Sequence, residues 1–181
     1  NAQTLDEEGY TALQIALIHH QSLETIKTFL NHPRLLINLQ NHSGDTTLHI
    51  ACRFYTEAIP LILSVPEVDI NVINDEHETP LLTLAKSMHD VSEYLPLFLR
   101  YENLETNIVS YNHIRGTALH SLFHGKTRFS NLHAIFELIE RTDLSIIDGH
   151  QLTPLGEFIN RNDVSLNIFK DDPLFIAYLR H

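Results

Sequence analysis

Thirteen histidines, one cysteine and a scatter of carboxylates are the side chains of this 181-residue chain that could do chemistry. Their spacing decides which chemistry is open to them. His120 and His124 stand four apart, one helical turn, which can hold zinc. No glutamate follows His120, so the pair is not the H-E-x-x-H arrangement of a metalloprotease. The single Cys52 excludes an internal disulfide framework and a multi-cysteine zinc site, and it fits a reducing, intracellular, cytoplasmic setting. A catalytic serine or cysteine needs a base within reach, and the serines here fall in loops or at helix edges with no nucleophile elbow. There is no P-loop and no GxGxxG. Asp171 and Asp172 directly precede Pro173 and read as a turn or helix cap rather than an acid–base pair. His19 and His20 end a helix, where positive charge is favoured. On these grounds no catalytic residue, no metal site and no cofactor is expected.

The elements that position these groups come from a recurring stretch. Residues Gly44 to Ala51 read GDTTLHIA, and variants follow as GYTALQIA from Gly9, HETPLLTL from His77, RGTALHSL from Arg115 and QLTPLGEF from Gln151. Aligned on Thr11, Thr46, Thr79, Thr117 and Thr153, the spacings are 35, 33, 38 and 36 residues, a near-fixed period that signals a stacked array. Five residues before each threonine stands an Asp or Asn: Asp6, Asn41, Asn74, Asn112 and Asp148. An Ile-Asn pair recurs at Ile37, Asn38 and at Ile70, Asn71.

This pattern resembles the ankyrin repeat, a unit of about 33 residues with a T-P-L-H-x-A signature. Thr46, Leu48, His49 and Ala51 match it best, and the likeness covers residues 6 to 160. It implies an all-α solenoid of helix-turn-helix units with β-turn fingers. The whole chain, 1–181, then forms one domain of repeats at about 6–40, 41–73, 74–111, 112–147 and 148–181. It also implies that His49 and His120, in the signature's histidine slot, tie neighbouring turns by hydrogen bonds.

Helical spacing predicts first helices at 12–19, 47–54, 80–88, 118–124 and 154–159, with second helices at 23–31, 57–64, 91–100 and 131–140. Pro60 and Pro96 predict a late start or a kink in two second helices. Pro173 opens a last short helix. The glycine that ends helix one in the family is replaced by His20, Tyr55, Met88, Lys126 and Asn162, so strained left-handed caps or longer loops are expected there. Leu84, Leu122 and Phe158 stand where the signature has a small alanine, so irregular curvature is expected. The apolar end, Leu174 to Leu179, lacks the polar outer face of a terminal cap, so further sequence beyond His181 or a partner there is expected. With an initial Asn rather than Met, the chain is expected to be a monomer or part of a longer chain.

The formal charge is −11, and residues 1–111 hold 15 acidic against 5 basic side chains. Such a surface repels nucleic acid and anionic membranes, and no apolar run is long enough for membrane insertion. It suits a basic protein. The resemblance implies protein–protein interaction through a concave face of finger tips and first helices. Carried over here, that face is Glu7, Glu8, Tyr10, His19, Asp45, Arg53, Phe54, Asp75, Glu76, Glu78, Lys86 and Ser87. Six carboxylates on three fingers, with Tyr10 and Phe54 between them, form the expected rim. The alternative is a targeting or regulatory segment of a larger enzyme. Irregular repeats, low glycine and abundant Asn, Ile and His are also similar to ankyrin proteins that intracellular bacterial pathogens secrete, which implies the host-cell cytoplasm.

Overall fold

The computed structural model describes residues 5–87, 91–111, 114–124 and 131–160. Met88, Asn112, Lys126, Asn162 and everything expected of 161–181, the apolar end included, lie outside them. The described elements are α1 (Ala12–Ile18), α2 (Leu23–Leu30), α3 (Thr47–Phe54), α4 (Ile59–Ile62), α5 (Pro80–Ala85), α6 (Leu95–Leu99), α7 (Ala118–His124), α8 (Leu132–Arg141) and α9 (Pro154–Asn160). Each first helix begins at the residue after its threonine, as the register predicts. Helices of four to ten residues are too short to persist alone in water, so packing must hold them. The first helices stack in chain order, α1 on α3 on α5 on α7 on α9, and α6 packs on α8. Leu13, Leu17, Leu48, Ile50, Leu81, Leu84, Leu119 and Leu122 fill the layer between, all buried. Leu84, Leu122 and Phe158 are accommodated within it.

The threonine is a helix cap. Its hydroxyl accepts the backbone N–H three residues on, at 3.1 Å for Gln14, 3.3 Å for Leu82 and 3.1 Å for Gly156. In three repeats a side chain reaches back. Thr11 N–H donates to Gln14 Oε1, and Thr46 and Thr117 N–H donate to Nδ1 of His49 and His120. At Thr11 and Thr46 the two bonds together form a reciprocal capping box, which satisfies two helix-end groups at once. The same side chains bridge to the next repeat: Gln14 Nε2 to Asp45 O, with a second bond to Leu39 O in its own repeat, His49 Nε2 to Glu78 O, and His120 Nε2 to Leu152 O. A carbonyl only accepts, so both histidines carry their proton on Nε2 and are neutral. The two repeats with Leu82 or Gly156 in that slot instead begin their helix with proline, whose fixed φ suits the first turn.

The Asp or Asn five residues earlier builds the finger. Its Oδ1 accepts two backbone N–H groups, from Glu8 and Tyr10 at Asp6, Ser43 and Asp45 at Asn41, Glu76 and Glu78 at Asn74, and His150 and Leu152 at Asp148. Successive fingers are joined by main-chain bonds: His42 N to Glu8 O, Asp75 N to Ser43 O, Tyr111 N to Glu76 O and Gly149 N to Ile114 O. The Ile-Asn pair ties the opposite loops. Asn38 holds Glu67 O and Asp69 N, Asn71 holds Asn103 O and Glu105 N, and Asn107 accepts from Asp143 N.

Every finger places the residue two before its threonine in the left-handed region: Gly9 (φ 80), Gly44 (φ 75), His77 (φ 58), Arg115 (φ 49) and Gln151 (φ 63). His77 offsets its strain by stacking on Tyr111 at 4.4 Å and donating from Nδ1 to Val109 O. Gly44 has no such freedom. A Cβ there would lie 2.8 Å from Asp75 N and 2.9 Å from Asn74 Cα. Gly44→Ala is expected to cost about 2 kcal/mol or more, strain and clash together, in a urea melt.

Two expectations are modified. Pro60 and Pro96 give late starts, with a 3-10 turn at Thr56–Ala58 before α4 and at Val91–Glu93 before α6, so neither second helix is continuous as drawn from spacing. Of the caps, His20 is left-handed (φ 49), but Tyr55 is not (φ −145). There the chain leaves α3 directly into the 3-10 turn, which removes the need for a left-handed residue.

Candidate functional site

The finger tips and the outer side of the first helices carry the polar side chains that no repeat rule explains. Glu7, Glu8, Asp75 and Glu76 are exposed on the first and third fingers. Glu7, Glu8 and Asp75 make no ion pair among the described residues. The second finger lies between them with His42 and Ser43 exposed, hydrogen-bonded to both neighbours. The acids are therefore held at fixed spacing by backbone rather than displayed on loose loops. Phe54, at the end of α3, keeps 40% of its surface exposed, and Tyr10 is half-buried against the core. His19 is exposed at the end of α1.

The expected rim of six carboxylates is smaller. Asp45 and Glu78 are buried, 1% and 0% exposed. Each immediately precedes a capping threonine and points inward, where a cation from seven residues beyond that threonine meets it. Arg53 grips Asp45 through Nη1 at 2.5 Å and Nη2 at 3.4 Å, and Lys86 Nζ lies 2.6 Å from Glu78 Oε1. Asn74 Nδ2 also donates to Asp45 at 2.7 Å. Lys86 reaches Glu76 as well, at 3.3 Å, and so partly neutralises one rim acid. A depression of about 180 Å³ lies among Arg53, Glu78, Thr83, Lys86 and Ser87. Thr83 Oγ1 and Ser87 Oγ line it without hydrogen-bond partners among the described residues.

Cys52 is wholly buried, and burial pushes its thiol pKa far up, so no thiolate is available as a nucleophile. His120, one half of the expected i,i+4 pair, faces inward to Leu152 O, whereas His124 faces outward. The two do not meet at one ion. On the opposite side of the array, Pro60, Leu63, Ser64, Leu97, Arg100 and Tyr101 line a depression of about 420 Å³ that is mainly apolar, with Arg100 its one charged group. No helix among the described residues is long and apolar enough to cross a membrane.

In three dimensions the chain is similar to the crystal structure of EF0377, an ankyrin repeat protein. The TM-score is 0.73 at 22% identity, covering 98% of this chain and 84% of that one. No family model and no curated protein matches the sequence. Together with the helical stack, finger ladder and capping threonines, that likeness gives the fold.

Proposed function

From an ankyrin-repeat fold, we propose that the chain is a protein-interaction module that holds a partner with a basic surface across its finger tips and first helices, the concave face of such arrays. The observation that carries this reading is the set of exposed carboxylates at Glu7, Glu8, Asp75 and Glu76, fixed by finger-to-finger hydrogen bonds beside exposed Phe54. Rigid charges steer a partner and set its register, and a partly exposed aromatic supplies the anchoring area. Arg53 and Lys86, drawn inward to Asp45 and Glu78, belong to the floor of this face rather than to its rim.

The test is affinity capture from cell lysate with the parent chain beside the variant Glu7→Lys, Glu8→Lys, Asp75→Lys, Glu76→Lys. These residues are exposed, so both proteins are expected to show the same helical spectrum. A partner retained by the parent, lost by the variant and released by salt is the expected result. Identical capture by both proteins would remove the acidic rim from the binding surface.

A further inference from the structure

Where the fourth and fifth repeats meet, three groups that are distant in sequence converge. His124 ends α7, His150 sits at the tip of the fifth finger, and Glu157 lies in α9. Their ligand atoms all fall within 4.8 Å of one another. His124 Nδ1 is 3.4 Å from Glu157 Oε2, His150 Nδ1 is 3.2 Å from Glu157 Oε1, and the two rings are stacked at 5.8 Å. Around a tetrahedral zinc with bonds of about 2.0 to 2.2 Å, neighbouring ligand atoms stand about 3.3 to 3.5 Å apart. Each histidine already stands at close to that value from one oxygen of the Glu157 carboxylate, Oε2 for His124 and Oε1 for His150. The histidine side chains are 40% and 47% exposed, so their rings can rotate to bring the two nitrogens together.

Charge points the same way. Glu157 is buried, 6% exposed, beside a second buried carboxylate, Asp148, at 3%. Asp148 Oδ1 is used by the finger, while Oδ2 accepts no hydrogen bond among the described residues and lies 3.6 Å from His150 Nδ1. In the second and third repeats a buried acid is matched by a permanent cation, Arg53 or Lys86. In the fourth, the slot of Arg53 and Lys86 is filled by His124. Two adjacent buried carboxylates then face two imidazoles, with no Lys or Arg paired to either carboxylate among the described residues. We propose that His124, His150 and Glu157 bind one zinc ion, with Asp148 adding negative charge next to His150. Two imidazoles and a carboxylate suit zinc rather than calcium or magnesium, which take oxygen ligands, and three protein ligands leave one position open.

The untagged chain, stripped with chelator, is titrated with zinc at neutral pH in competition with a chromophoric chelator. The parent is measured beside His124→Gln, His150→Gln and Glu157→Gln, with exposed His133→Gln as control. One zinc per chain is expected, with at least about tenfold weaker binding in each of the three variants and parental affinity in the control. Cobalt in place of zinc should give the visible absorption of a tetrahedral site, lost with His150→Gln. Binding that is equal in the parent, His124→Gln and His150→Gln, or no uptake by the parent, would overturn the proposal and leave only scattered surface histidines. The two histidine variants alter exposed side chains, so they keep the test intact if Glu157→Gln fails to fold.

Discussion

His49→Ala is expected to destabilise the array by about 3 kcal/mol, because it strips a buried N–H of its partner, takes one of two hydrogen bonds from a buried carbonyl and leaves a cavity. The N–H is that of Thr46 and the carbonyl that of Glu78, both in residues at most 1% exposed. His49→Gln should lose far less. Gln14 already performs both tasks in the first repeat, accepting from the capping threonine and donating to Asp45 O, the position equivalent to Glu78, with a further bond to Leu39 O. Urea melts of the two variants beside the parent check this, and equal losses would mean that a glutamine amide does not take over the bridge.

The same slot makes stability depend on pH. Burial lowers the pKa of His49 and of His120 below the ordinary 6.5. A histidine with a lowered folded pKa takes up its proton first in the unfolded chain, so its contribution is complete above about pH 6.5 and declines as pH falls further, by at most about 1.4 kcal/mol per unit for each group. Protonation of Nδ1 also removes the acceptor that holds the capping threonine's N–H. The double variant His49→Gln, His120→Gln is therefore expected to keep more of its stability than the parent between about pH 6.5 and 5.5, read from the shift of the urea midpoint. A parent and double variant with parallel pH profiles would refute the neutral, Nε2-protonated assignment.

A second large effect is expected at the buried ion pairs. Arg53→Met leaves Asp45 charged, buried and short of its cation, and Lys86→Met does the same to Glu78. Breaking such a pair from one side costs about 3 to 5 kcal/mol. The cations here are 35% and 29% exposed, so water compensates in part and the lower end, about 3 kcal/mol each, is expected. That corresponds to a fall in Tm of about 6 to 12 °C for a chain of this size. Asp45→Asn combined with Arg53→Met should cost less than the two single losses added together, as a coupled pair requires. Additive losses would show that the charges do not depend on each other.

Much of this architecture was legible because one residue type does one job in every repeat. The threonine fixed each helix start to the residue, and the Asp or Asn five places earlier marked each finger, since only a short side-chain acceptor reaches two N–H groups of its own turn. The second helices were less legible. Pro60 and Pro96 signal a disturbance without saying whether the chain kinks or begins late, and packing chose the late start. The misplacement of Asp45 and Glu78 on the rim has a clear cause: acids next to finger tips look solvent-facing until the opposite charge eight residues on is noticed. Both pairs, Asp45 with Arg53 and Glu78 with Lys86, carry that signal in the sequence. His124, His150 and Glu157 carry none. They come from three elements in two repeats, and only the stacking of α7 on α9 brings them within reach.

The most direct test of the interaction surface is photo-crosslinking in lysate from single positions. A photoreactive amino acid is placed at Phe54 or Tyr111 on the finger and first-helix side, and at Lys27 or Arg100 on the second-helix side, all four exposed. The account predicts a shared, salt-sensitive adduct from Phe54 and Tyr111 and none from Lys27 or Arg100. An adduct arising from Lys27 or Arg100 alone would place the partner on the opposite face and contradict it.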